Sequence, residues 1–505
     1  MLDVCYFCEG TYPYVPGGVS TWIHQLIEGM PDLKFGLVYL APSASTERRM
    51  RYKLPPNLMD MCEFNLYDVI TRFPQTTFGD KEKAWREAGP FLGGLINGHG
   101  RGFARAFPHL CGTDNIPPAL SFRDLAFSLE SWNVLTQMYQ DFGPRVSFTD
   151  FFWTWRYAYF PLFKLFTAEI PRARVYHAVT TGWSGFMGVI AAIRYRRPLI
   201  LTEHGLYVNE RRIEITQADW IYVDKASSVN LESGLGTFKQ IWINLFVGLG
   251  KACYENANFI YTLHRENKEL QIQFGADGSK IKLIPNGVDL KALEQTSELA
   301  MPRDESKFRV GFVGRIVPIK DLKTLIKAVK LAEERIPGLE VFLCGPTDED
   351  PSYYAEVRTM VEALDLGHIV RFMGRVDVRK YYPVFDVQVL TSISEGQPMV
   401  ILEGFAARLP CIAPDVGSCG ELLLGGEAED VALGPAGVLT WVGNPNQTAD
   451  ALVQLYQDPD LRKAMGASGR ARVEKYYRQE QLFARYREVY EECRKAHDRT
   501  AVGML

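Results

Sequence analysis

The chain carries almost no excess charge: 56 Lys+Arg face 60 Asp+Glu, a net charge of −4 over 505 residues. A near-balanced chain is not a general polyanion binder, which argues against nucleic acid as a partner. Any phosphate chemistry must then come from a few placed cations. Long apolar runs are also missing. Stretches 241–250 and 185–193 come nearest, and both fall short of the roughly 18–20 apolar residues a spanning helix needs. The opening residues hold no basic stretch followed by an apolar one, so no secretion signal is expected and a cytoplasmic location is. The nine cysteines are an odd number and mostly isolated. Cys5 and Cys8 have metal-pair spacing, but no second pair completes a tetrahedral site, so they read as small hydrophobes in a buried strand and no metal is expected. The dinucleotide fingerprint G-x-G-x-x-G opens neither half of the chain. Its imitation at Gly248–Cys253 falls inside an apolar helical pattern, which places a nicotinamide oxidoreductase last among the enzyme classes.

What is present is a globular composition, 47% hydrophobic, with short β-rich runs alternating with longer helical patterns. One series of expected strands comprises Asp3–Cys8, Phe35–Leu40, Val175–Ala178, Leu199–Thr202, Phe259–Thr262 and Ile281–Ile284. A second comprises Phe308–Val313, Glu340–Leu343, Ile369–Phe372, Asp386–Leu390, Cys411–Ala413 and Gly437–Thr440. Such alternation predicts parallel sheets covered by helices on both faces. Two series predict two Rossmann-like, doubly wound α/β domains. The polar stretch 290–307 breaks the pattern, which sets an N-terminal domain over 1–300 and a C-terminal one over 301–475. Residues 476–505 read as a charged helix able to pack back on the first domain. Residues 42–172 do not alternate. Their aromatic-rich helical spacing, at 120–138 and 153–166, predicts a mainly helical insertion, with the aromatics as core.

Four motifs carry chemistry. In the first, an apolar strand runs into Ser394, Glu395, Gly396, Gln397, Pro398, Met399 and Val400, then Glu403 and Gly404. Pro398 suits a first helical turn, with the helix expected to run to about Arg408. Gly396 and the helix dipole make a site for an anion at a strand's carboxyl end. Glu395 and Glu403 beside a phosphate site make sense as hydroxyl acceptors, one for a ribose diol and one for a sugar; a cap acid and an unrelated surface Glu are the plainer reading. In the second motif, Arg315 and Lys320 share the loop after strand Phe308–Val313. There they can stabilise the charge on a departing diphosphate, or stand as solvated cations. In the third, Gly17 and Gly18 open a helix after the first strand, allowing close backbone approach or serving a plain turn. In the fourth, Glu203, His204 and Gly205 end an apolar strand, where His204 can touch a sugar or a phosphate. His177, also at a strand end, is more often a structural histidine. Pro285–Asp289 reads as a tight turn between the domains, and Asp348–Asp350 as a solvated acidic loop.

Together these motifs resemble the retaining glycosyltransferases of family 4, which have the two-domain GT-B architecture with an interdomain cleft. The resemblance covers most of 1–25, 175–290 and 308–440. The stretch Tyr6–Ser20 and the long insertion further resemble the cytosolic glycosyltransferases of bacterial Pel exopolysaccharide synthesis. The resemblance implies a UDP-sugar donor with Arg315 and Lys320 on its diphosphate, Glu403 on the ribose and Glu395 on the sugar. The backbone around Gly396, Gln397, Pro398, Met399 and Val400 would line it, with Arg375 and Val376 bordering the base. Gly17, Gly18 and His204 would complete the site from the other domain. It also implies no required cofactor, the UDP-sugar being a substrate, and a polysaccharide acceptor. Inner-membrane synthase or export subunits would be the partners, with recruitment to the inner face of that membrane. A UDP-sugar isomerase and a non-catalytic nucleotide-sugar-binding subunit stay open beside it.

Overall fold

A computed structural model of the chain describes residues 1–45, 48–68, 77–113, 115–142, 146–218, 236–295 and 304–502. It divides into two compact units. One comprises 1–262, 268–283 and 486–505; the other comprises 263–267 and 284–485. The expected boundary at 300/301 falls on residues 296–303, outside the described residues.

The first unit holds a seven-stranded parallel sheet in the order β3-β2-β1-β4-β5-β6-β7. Its strands are β1 (Leu2–Glu9), β2 (Phe35–Ala41), β3 (Leu58–Asn65), β4 (Ala173–Ala178), β5 (Leu199–Glu203), β6 (Phe259–Thr262) and β7 (Ile281–Leu283). Strands β1 and β2 are almost continuously buried, as expected of a parallel sheet covered on both faces. Cys5 and Cys8 lie buried within β1. The insertion is mainly helical and also contributes strand β3, which is absent from the expected strand series. With Asp60 and Glu63 in it and no fully buried residue, β3 is an edge strand, so its sequence lacks the apolar signature of the central ones. Helix Phe148–Phe166 buries Phe151, Trp155, Tyr159 and Phe163 at four-residue spacing against the core. The expected helix over 120–138 is broken at Ser128 into Phe122–Phe127 and Leu129–Phe142.

The second unit holds a six-stranded parallel sheet in the order β10-β9-β8-β11-β12-β13. Its strands are β8 (Phe308–Val313), β9 (Leu339–Cys344), β10 (Val370–Gly374), β11 (Val387–Val389), β12 (Cys411–Pro414) and β13 (Gly437–Thr440). In both sheets the strand order reverses at the centre, between β1 and β4 and between β8 and β11. Open α/β sheets bind ligands at such switch points, outside the strands' carboxyl ends. Turn Pro285–Asp289 belongs to the second unit, where Val288 bridges Arg478 and a Cβ on Gly287 would meet the Arg478 carbonyl at 2.6 Å. Helix Gln479–Val502 passes from the second unit into the first. In the first, Tyr490 hydroxyl meets Tyr6 hydroxyl at 2.6 Å and His177 Nδ1 at 2.9 Å, and Tyr486 hydroxyl meets Thr202 at 3.1 Å.

Candidate functional site

All strands of the second sheet are parallel, so the loops after β8, β9, β10 and β11 leave from one edge. Backbone bonds stitch them together. The Gly314 N–H donates to Cys344 O, the Gly345 N–H to Gly374 O, and the Ile393 N–H to Ile319 O. Gly345 is required there, since a Cβ would lie 1.8 Å from Gly314 O. Thr391 hydroxyl adds a bond to Lys320 O at 2.9 Å. The polar side chains on these loops are therefore held by a rigid edge.

Lys320 closes a short 3-10 turn, Pro318–Lys320, and its Nζ donates to Glu395 Oε1 at 2.5 Å. Both side chains are largely buried, at 17% and 11% exposure. This pair spans the β8/β11 switch point. Arg315, on the same loop, is exposed and pairs with Glu349 at 3.0 Å. Arg375, just beyond β10, is exposed and reaches Asp348 at 3.4 Å. The Asp348–Asp350 loop is thus not merely solvated. Two of its acids hold the two arginines, and Asp350 caps helix Pro351–Ala363 by accepting from the Tyr353 N–H. Val376 packs half-buried in the apolar cluster that includes Phe342 and Tyr382.

The helix expected after Glu395 runs from Met399 to Ala406, with Pro398 at its N-cap rather than inside its first turn. It stops short of Arg408, whose left-handed φ of 62° lets the Leu409 N–H turn back to Gly404 O. The amides of Met399 and Val400 open this helix and so have no intrahelical acceptor. Glu403 is half-buried, and Tyr382 hydroxyl donates to its Oε2 at 2.6 Å. Burial pushes the Glu403 carboxyl up, against the lowering effect of Tyr382 and of Arg379 nearby. Gly396 lies under the next loop: its carbonyl accepts from the Ser418 N–H at 2.9 Å. Gln397 departs from the expected role. Its side chain is buried and accepts from the Asn286 N–H at 2.6 Å, so it fixes the turn before β8 rather than facing a ligand.

Two hydroxyls escaped the sequence reading. Ser392 and Ser418 are buried, and among the described residues neither hydroxyl has a partner. Buried polar groups are seldom left unsatisfied. Ser392 sits three residues before Glu395, the one signal available beforehand.

In the first unit, Gly17 is the N-cap of helix Gly18–Glu28, with extended backbone and no side-chain cap. A Cβ on Gly17 or Gly18 would meet nothing within 4 Å. Neither packing nor strain demands glycine there. His204 lies edge-on to Trp22, with ring centroids 4.5 Å apart, and neither ring nitrogen has a partner among the described residues. Burial pushes its imidazole down to about 4. His177 is the opposite case: fully buried, bonded on both nitrogens to Tyr490 and Thr202, and structural. Glu203 faces the core rather than a crevice, accepting from Tyr254, Gln271 and Thr181 at 2.7–3.1 Å.

The doubly wound halves have the GT-B fold, as their match to solved structures shows. Sucrose-phosphate synthase from Thermosynechococcus elongatus matches over 98% of this chain and 99% of its own, with a TM-score of 0.59 at 18% identity. HepE from Anabaena, solved in complex with UDP, matches over 97% and 99%, with a TM-score of 0.56 at 15% identity. The chain belongs to the family described as "Domain of unknown function (DUF3492)", matched over residues 2–279. Residues 297–472 match "Glycosyl transferases group 1", so a DUF3492 domain precedes a group 1 glycosyl transferase domain. D-inositol 3-phosphate glycosyltransferase of Kineococcus radiotolerans is 30% identical over 226 residues, 41% of this chain and 51% of that protein. The chain spans about half the length of such relatives. No helix among the described residues is long and apolar enough to cross a membrane.

Proposed function

We propose that this protein is a UDP-sugar-dependent glycosyltransferase that retains the donor's anomeric configuration. The carrying observation is the buried Lys320–Glu395 pair at the β8/β11 switch point, with Arg315, Arg375 and Glu403 on loops and a helix of the same sheet edge. The HepE complex with UDP supports the choice of nucleotide. Lys320 and Arg315 neutralise the diphosphate as it leaves, Arg315 exchanging Glu349 for a phosphate oxygen. Glu403 accepts from a ribose hydroxyl and Glu395 from the sugar, while Gly396, Met399 and Val400 present backbone to the diphosphate. Arg375 and Val376 border the base. Gly17, Gly18 and His204 serve the transferred sugar or the incoming hydroxyl.

In the transfer step, the bond from the anomeric carbon to the phosphate oxygen breaks, and its electron pair goes to UDP. The acceptor oxygen bonds to the same face of the anomeric carbon, and its proton passes to the departing phosphate oxygen. No carboxylate attacks: Lys320 occupies Glu395, which therefore positions rather than acts as nucleophile. No metal is invoked, because side-chain cations carry the charge. The acceptor is a growing Pel-type exopolysaccharide, and membrane synthase subunits recruit the enzyme to the inner face of the inner membrane. The first test is UDP release over a panel of UDP-sugars, with the product's anomeric configuration determined. Inversion overturns the mechanism. An epimerised donor without acceptor points instead to an isomerase, and UDP binding without release to a non-catalytic subunit.

A further inference from the structure

The helical insertion holds a cavity of about 410 Å³ to which the donor reading gives no role. Residues 66–68, just past edge strand β3, line it together with helices Phe122–Phe127 and Phe148–Phe166. Its volume is that of a pocket for a small organic ligand.

The lining is aromatic. Tyr67 and Tyr157 pack with ring centroids 5.9 Å apart, and Phe160 stands edge-on to Phe122 at 5.6 Å and to Phe127 at 6.0 Å. Tyr67, Phe127 and Tyr157 stay exposed, so they offer ring surface to a flat guest. The charged groups are few: Arg156, Lys164 and Asp68 among the described residues. The Arg156 guanidinium lies over the Phe160 ring at 4.6 Å and the Trp153 ring at 5.4 Å, with no hydrogen bond or ion pair among the described residues. Stacking fixes its plane and leaves its N–H edge for an oxyanion. Lys164 donates to Asn65 O at 2.5 Å and to Asp68 O at 2.9 Å, which leaves an N–H free. The Asp68 carboxylate accepts from the Ser43 hydroxyl at 2.5 Å and the Ala44 N–H at 3.1 Å, and Lys164 and Arg48 lie near enough to balance its charge. Arg156 is then the unbalanced charge of the lining. A saccharide would need acceptors for a ring of hydroxyls, and the lining side chains offer only one carboxylate and two phenols. A flat ring carrying one oxyanion matches what is there.

We infer that this cavity binds a nucleoside monophosphate. The base stacks on the tyrosine and phenylalanine rings, and Arg156 forks onto the phosphate with the free Lys164 N–H beside it. A purine, with the larger stacking face, fits best. The site uses none of the residues assigned to the donor, so it is independent of the transfer reading.

The test is calorimetric binding of AMP, adenosine, inorganic phosphate and farnesyl phosphate to the full chain. AMP is expected to bind at least tenfold more tightly than adenosine or phosphate alone, because stack and fork act together. Arg156→Ala should weaken AMP binding at least tenfold, and Arg156→Lys should restore little of it, since an ammonium does not fork. Tyr157→Ala, at a residue 61% exposed, should weaken AMP binding about fivefold and leave the thermal midpoint unchanged. Lys320→Ala should leave AMP affinity as it was. No AMP binding at millimolar concentration, adenosine binding as tightly as AMP, or affinity indifferent to the Arg156 and Tyr157 substitutions would each overturn the inference. So would tighter binding of farnesyl phosphate, which would make the occupant a lipid phosphate, or loss of AMP binding on Lys320→Ala alone, which would put AMP in the donor site.

Discussion

Lys320 and Glu395 in the second unit already hold each other at 2.5 Å, and Glu403 is already held by Tyr382. In the first unit, His204 offers two nitrogens to nothing described, and Gly17 and Gly18 face open space. Both regions sit at the carboxyl edge of a doubly wound sheet, yet the charged side chains of the second are paired, while His204 of the first is not. Pairing fixes charges before any ligand arrives, which is what electrostatic preorganisation requires. Unpaired buried groups cost free energy in the empty fold and regain it when a ligand supplies the partner. The charged pairs of the second unit are thus built to hold geometry, and His204 of the first to be completed.

The largest effect expected in either unit tests whether the second is held by satisfied buried charge. Arg472 is fully buried and donates to Asp430 at 2.5 Å and to the carbonyls of Leu422, Leu423 and Gly434. Arg472→Met strands Asp430 and should destabilise the protein by about 3–5 kcal/mol in chemical denaturation. Next, Lys320→Ala should lower UDP release by about 10²–10³-fold with the fold intact by circular dichroism. Unchanged turnover would dissolve the contrast between the units.

Buried histidines should make the fold acid-sensitive, His177 and His204 in the first unit and His264 in the second. Burial lowers His177 to about 3 and His204 to about 4 from an ordinary 6.5. Both stay neutral in the fold where the unfolded chain is protonated. Their stabilising effect is complete above pH 6.5 and is lost as pH falls toward the folded values. At roughly 1.4 kcal/mol per pH unit for each group, going from pH 6.5 to 5 should cost about 2 kcal/mol per histidine. His177→Gln should flatten the dependence of thermal midpoint on pH; an unchanged slope would contradict it. Gly17→Ala should leave the thermal midpoint unmoved, since no atom lies near, yet lower turnover about tenfold, about 1.4 kcal/mol. Equal loss of stability and activity would make it a structural glycine. Smallest, Tyr382→Phe should cost about 1 kcal/mol of stability and raise the KM for the donor through a less firmly held Glu403.

Much of this was readable beforehand. Strands β6, β8 and β13 begin and end where the apolar runs do, because buried parallel strands are continuous hydrophobic segments. Edge strand β3 was not, since none of its residues is fully buried and three face water. Arg315, Lys320, Glu395 and Glu403 stood out because loop cations and helix-start acids after apolar strands are a local pattern. The partners Glu349 and Tyr382, and the roles of Gln397 and His177, were invisible: each depends on residues 21 to 313 positions away.

The order of residues alone dictated which segments form the buried strands, that the sheets are parallel, and which loops carry charge, because those follow from local periodicity and turn chemistry. Which acid meets which base, which histidine is satisfied, and where a ligand-sized hollow opens were decided by packing. Those properties arise only when distant loops are brought to one sheet edge and water is excluded from between them.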